Sequence, residues 1–259
     1  MAWVLQTLAA CGGCGHTCQM NRDIRLSEDD GPQPDKVQLL PGLLRPRRLH
    51  VVLIVLIVLT CLPEIGLVLA DWGLIGSPRW RLLAYQYGAF WAGLLYGWEP
   101  NYAAQPVVMF FSYGFLHTGL WHLAGNLLGL AWLGQRVIGR WSPGLFIGLY
   151  LAALLGGAAG FGALSRNPAP MVGASGAIFG LAALWIGAQW QDRHHSGLRS
   201  WAACGPAVML TLALIGLNGL IWVLEQGQLA WETHLGGFLA GAVAAALLIR
   251  FRAARPNPI

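Results

Sequence analysis

Charge is scarce in this chain. Only 10% of its 259 residues are Asp, Glu, Lys or Arg, against 56% hydrophobic residues, and the mean hydropathy is +0.55. A soluble globular domain carries about 25% charged residues, so the composition excludes an ordinary water-soluble enzyme and indicates a polytopic membrane protein. A disulfide framework is also missing. The five cysteines, Cys11, Cys14, Cys18, Cys61 and Cys204, show no paired spacing, and no structural disulfide is expected. There is no internal repeat and no matching pair of interrupted apolar segments, which argues against a small transporter. What the chain has in quantity is glycine, 35 residues. Lipid offers no hydrophobic drive between helices, so close backbone contact through small residues must replace it.

Six segments are apolar and long enough to be read as spans: about 50–70, 110–134, 143–163, 174–190, 202–224 and 232–251. Residues 1–49 read as a polar cytoplasmic tail, mostly disordered, and 253–259 as a second, short tail. Leu8-Ala9-Ala10-Cys11 has lipobox-like spacing but no basic region ahead of it, so no lipoprotein signal is expected. Cys11, Cys14, His16 and Cys18 form a single small cluster without the second half of a zinc site, and Met20 is a candidate for the true start. The formal net charge of +5 invites a nucleic-acid reading, but the basic residues lie elsewhere than in one patch. Thirteen fall in the tails and the loops containing Arg136, Arg140, Arg193 and Arg199, and three (Arg79, Arg81, Arg166) on the opposite side. This positive-inside bias places both termini in the cytoplasm and leaves nothing to bind nucleic acid. The stretch 71–105 is rich in Trp and Tyr and is expected to lie in the outer membrane interface. Glu64, in the first span, is expected to have a structural partner near the outer surface.

Polar residues that could do chemistry recur near one end of three spans running in the same direction. From Gly176 to Trp190 the fourth segment has fifteen residues, about 22 Å of helix against about 30 Å of hydrocarbon. A helix that short would begin below the surface. Ser175 would then lie at the floor of a water-filled recess reached by the irregular backbone of 167–171. Gly173 and Gly176 permit a tight turn and close approach, and amide N–H groups in a first helical turn are free to stabilise an oxyanion. Taken alone, Ser175 is better explained as a packing or capping serine. The sixth segment alters that balance with Thr233-His234 followed by Gly237 and Gly241, a Gly-x-x-x-Gly face able to press against Gly173, Gly176 and Gly180. That contact would bring an imidazole to the serine as general base. A Ser-His dyad rather than a triad is expected, with Phe179 stacked on the imidazole. The second segment adds His117, and His122 and Asn126 four residues apart on one face, each able to donate to an oxyanion.

Gly173-Ala174-Ser175-Gly176, His234 with Gly237 and Gly241, and His117 with His122-x-x-x-Asn126 together resemble the motifs of the rhomboid family of intramembrane serine proteases, bacterial type. The resemblance spans about residues 50–252. It implies an all-α, six-transmembrane-helix bundle with Ser175 as nucleophile and His234 as base, and with Asn126, His122 and the Ser175 backbone amide as oxyanion stabilisers. Membrane proteins with transmembrane helices would be the substrates. No metal or cofactor is required. It further implies a bacterial inner membrane with the site opening outward, stretch 71–105 as an embedded loop, and the fifth helix with 225–231 as gate and cap. Where many members carry Trp-Arg before the second helix this chain has Val108-Met109, with Trp80-Arg81 far upstream, and Ile138 stands where many have glutamate. The rival is a non-catalytic rhomboid-like protein that binds membrane clients. No oligomeric state follows from the sequence.

Overall fold

The computed structural model describes residues 49–198 and 201–253. The expectations for residues 1–48 and 254–259, the cysteine cluster included, fall outside the described residues. Eight α-helices follow in order: α1 Val51–Asp71, α2 Trp80–Gly88, α3 Gln105–Ser112, α4 Leu120–Arg140, α5 Pro143–Leu164, α6 Ser175–His195, α7 Trp201–Leu224 and α8 Trp231–Ala253. Among the described residues there is no strand, only an isolated bridge between Phe90 and Met171. Four helices, α1, α5, α7 and α8, are long and apolar enough to cross a membrane. The other two long helices, α4 and α6, have 21 residues each but a more polar composition, because they carry His122, Asn126 and Arg136, and Gln189, Asp192 and Arg193.

Two expected boundaries shift. The second span was expected over 110–134, but the chain breaks within it. Helix α3 ends at Ser112, a 3-10 turn covers Tyr113–Phe115, and α4 begins only at Leu120. Gly119 has φ +147, a conformation an L side chain resists, and its carbonyl accepts the first helical bond, from Leu123. The fourth segment is longer than expected. It continues past Trp190 to His195, so its 21 residues extend about 32 Å, and helix shortness no longer fixes the depth of Ser175. Its polar last turns are held by a bidentate Arg140–Asp192 pair.

Glycine determines how the centre is built. Helix α8 lies against both α5 and α6, and its glycines point both ways. A β-carbon at Gly237 would collide with the Gly176 carbonyl and one at Gly241 with the Gly180 carbonyl, both on α6. On the α5 side a β-carbon at Gly236 would collide with the Gly156 carbonyl and approach Gly160. Backbones this close gain dispersion over their whole length, the association mode open to helices in lipid. Gly176 and Gly180 therefore meet Gly237 and Gly241 as the sequence suggested. Gly173 does not join them.

The stretch 71–105 is tied down more firmly than an interfacial loop requires. Phe90 is fully buried and meets Phe110, Tyr113 and Phe161 edge-on at 5.0, 6.2 and 5.9 Å. Its backbone exchanges two hydrogen bonds with Met171. Arg81 supplies the polar anchor. It makes two bonds to Glu64, at 2.9 and 3.0 Å, one to Asp71 at 2.7 Å and one to the His117 carbonyl at 3.0 Å. Glu64 is fully buried, so its structural partner is this guanidinium. Arg81 thus anchors the stretch although it lies far from the position where the family motif would put an arginine.

Two variants probe this architecture by thermal unfolding in detergent. Gly237→Val should lose about 1–3 kcal/mol through overpacking. Arg81→Ala strands a buried carboxylate and should cost about 3 kcal/mol, whereas Arg81→Met combined with Glu64→Leu should recover most of that loss.

Candidate active site

Ser175 is the first residue of α6, and it follows irregular backbone from Ser165 to Ala174. That backbone is satisfied locally. The Gly173 N–H donates to the Tyr113 carbonyl at 2.9 Å, Met171 pairs with Phe90, and the Asn167 side chain accepts from the Ala169 N–H. Gly173 has φ +120, and a β-carbon there would lie 2.8 Å from the His122 ring. Glycine is needed at this position to let an imidazole from α4 lie over the turn that presents the serine.

The α6–α8 contact sets the central distance. His234 Nε2 lies 2.8 Å from Ser175 Oγ, within the range for a base and the hydroxyl it serves. The ring is 6% exposed and stacks on Phe179 with centroids 4.2 Å apart and planes 2° from parallel, as the one-turn spacing from Ser175 suggested. Its other nitrogen, Nδ1, meets Asn218 Oδ1 of α7 in a short hydrogen bond. Asn218 is the residue that the sequence reading missed. Its signal in the sequence is a lone asparagine within an apolar span. Glu232 opens α8 two residues before His234, but among the described residues no hydrogen bond joins the two.

On the α4 side, His122 Nδ1 lies 3.1 Å from Thr118 Oγ1. With Thr118 donating, the ring proton resides on Nε2, the nitrogen over Gly173, where it can be offered to an oxygen beside Ser175. Asn126 is 5% exposed, and its amide nitrogen donates to the His122 carbonyl at 2.8 Å. An amide has two N–H groups, so one is left to donate. His117 is fully buried, edge-on to His122 at 5.1 Å, and its ring nitrogens have no protein partner. Its contribution is through the backbone, where its carbonyl accepts from Tyr85 Oη at 2.6 Å and from Arg81. Ser175, His234, His122 and Phe179 therefore converge, while His117 supports from behind. A cavity of about 500 Å³ adjoins them, with Thr118, Ser165, Asn167, Met171 and the 224–232 segment in its wall. Neither Ser175 nor His234 is in its wall, although Ser175 itself is partly exposed.

The tight packing at Gly173 yields a prediction. Gly173→Ala combines a disfavoured backbone with displacement of His122 and should slow reaction of Ser175 with a fluorophosphonate about 10- to 100-fold, while helical circular dichroism stays unchanged.

Comparison with known proteins identifies the family. The rhomboid domain family matches residues 104–251, which holds α3 to α8 apart from the last residues of α8. RHOMBOID-like protein 12, mitochondrial, of Arabidopsis thaliana is 28% identical over 199 residues, 70% of this chain and 56% of that protein. Rhomboid protease GluP of Bacillus subtilis is 30% identical over 140 residues, 51% of this chain and 24% of that protein. The chain thus spans about half the length of the first relative and about a quarter of the second. With a family match over more than half its length and apolar helices able to span, the chain belongs to the rhomboid family and is a multi-pass integral membrane protein.

Proposed function

We propose that the chain is an intramembrane serine endopeptidase that cleaves membrane-protein substrates in or beside a transmembrane helix. The observation that carries the reading is the 2.8 Å contact between His234 Nε2 and Ser175 Oγ, a base beside a hydroxyl in a chain otherwise sparing of polar groups. The name of the Bacillus relative supports it. In attack, the Ser175 oxygen bonds to the scissile carbonyl carbon while His234 Nε2 takes the hydroxyl proton. The carbonyl oxygen becomes an oxyanion that His122, Asn126 and the Ser175 amide stabilise by donation. Collapse breaks the C–N bond and His234 returns its proton to the departing amine. Water then attacks the acyl ester with His234 again as base, the second product leaves as a carboxylic acid, and Ser175 regains its proton.

The membrane reading extends this. Helices α1, α4, α5, α6, α7 and α8 would be the six spans. Both termini would lie on the side richest in arginine, the cytoplasm of a bacterial cell, with the site opening to the opposite face. Such placement supplies water to a site otherwise surrounded by lipid.

Cleavage of a single-span test substrate by the purified protein in detergent checks the assignment. Ser175→Ala and His234→Ala should abolish cleavage, and Asn126→Ala should lower kcat about 100-fold. Undiminished cleavage by Ser175→Ala would remove the serine from the mechanism. An inert wild-type chain that still binds the substrate would favour the client-binding alternative.

A further inference from the structure

Helix α7 is the most loosely seated of the long helices. Only Ala203 and Gly205, near its start, are buried, and Leu217, Leu220, Trp222, Val223 and Leu224 are all exposed. In this setting a primary amide on the second half of the helix is out of place, since an unpartnered amide facing lipid is costly. Asn218 resolves that cost in one way. Thr211 only bonds back to the Ala207 carbonyl within α7, whereas Asn218 makes a polar side-chain contact to another helix, and its partner is His234 Nδ1.

The atoms that meet determine the consequence. Oδ1 is an acceptor only, so the hydrogen between them belongs to the ring: His234 Nδ1–H donates to Asn218 Oδ1. A neutral imidazole carries one proton, and a proton held on Nδ1 leaves Nε2 with a free lone pair. Nε2 is the atom 2.8 Å from Ser175 Oγ. The ring is then fixed on three sides, by Phe179 against its face, Ser175 at Nε2 and Asn218 at Nδ1.

We propose that Asn218 is a positioning residue of the proteolytic site, holding His234 in the tautomer and orientation that let it accept the Ser175 proton. The inference rests on the Ser175–His234 reading and makes a dyad into a serine-histidine-asparagine arrangement whose third member comes from a separate helix. A base oriented by a third group is the general logic of activated nucleophiles. Because the third group is on α7, any displacement of that helix removes the orienting acceptor together with it.

The test compares wild type, Asn218→Ala, Asn218→Leu, Asn218→Asp and the lipid-facing control Leu217→Ala, each purified in detergent. Two quantities are read: the rate of fluorophosphonate labelling at Ser175, and kcat and KM on a single-span substrate. Loss of an outer partner of a metal-bound histidine costs about 10- to 100-fold, and a loss of that size is expected here. Asn218→Ala and Asn218→Leu should slow labelling and lower kcat by that factor, with KM within about twofold of wild type. Asn218→Asp, which keeps an acceptor at the same distance along the side chain, should restore most of the lost rate, and Leu217→Ala should behave as wild type. If the contact merely held α7 in place, its loss would free access to the serine, and labelling would be unchanged or faster. That result, or a loss that Asn218→Asp fails to rescue, overturns the proposal while leaving the dyad intact. A wild-type chain that does not label Ser175 overturns the dyad reading itself, and the role of Asn218 with it.

Discussion

Everything at the centre of this protein depends on how closely the backbone of α8 can lie against α5 and α6. Gly236, Gly237 and Gly241 occupy places where a single methyl group would strike a neighbouring carbonyl. The α6 contact sets the position of His234 relative to Ser175, since Gly237 lies three residues after the histidine and Gly176 is next to the serine. A 2.8 Å contact between side chains 59 residues apart is therefore set by packing rather than by the loop that joins the helices. In lipid, where apolar surfaces gain nothing from being hidden from water, this packing is also the main source of cohesion.

The opposite wall of the site is polar and is built on different terms. Helix α4 brings His122 over Gly173 and buries Asn126. The stretch preceding it is fixed by ion pairs and aromatic edges. Arg81 joins Glu64 of α1, Asp71 and the His117 carbonyl, so the first helix, the aromatic stretch and the second wall share one guanidinium. Burial alone would make that group easier to deprotonate, but the hydrogen bonds it donates to Glu64, Tyr85 and Asp71 outweigh burial and hold Arg81 more firmly protonated than usual. The guanidinium therefore keeps its charge over any pH range in which the protein works.

Much of this was legible in the sequence because glycine spacing and buried polar residues have few interpretations in a membrane chain. Gly237 and Gly241 identified the face of α8, and the four-residue spacing of Phe179 from Ser175 identified the ring that stacks on His234. Other features were hidden for identifiable reasons. The break before α4 depends on the backbone conformation of Gly119, which the apolar run holding Phe110, Phe111, Phe115 and Leu116 obscures. Helix α6 outlasts its apolar stretch because Arg140, 52 positions away, pairs with Asp192, and no local pattern reports that. Gly173 was assigned to the helix-packing face through its spacing from Gly176, but it precedes the helix and serves His122 instead. Asn218 is hidden because its meaning lies in a contact between two helices, α7 and α8, that no local pattern reports.

Under the proposed function, packing of α8 on α6 makes one serine of this chain chemically unlike the rest. Treating the detergent-solubilised protein with a fluorophosphonate and locating the adduct by tandem mass spectrometry tests it most directly. The account predicts a single adduct, on Ser175, that disappears in His234→Ala although the α6–α8 glycine contact is untouched. An adduct that persists at the wild-type rate without His234, or one distributed over other serines, would contradict it.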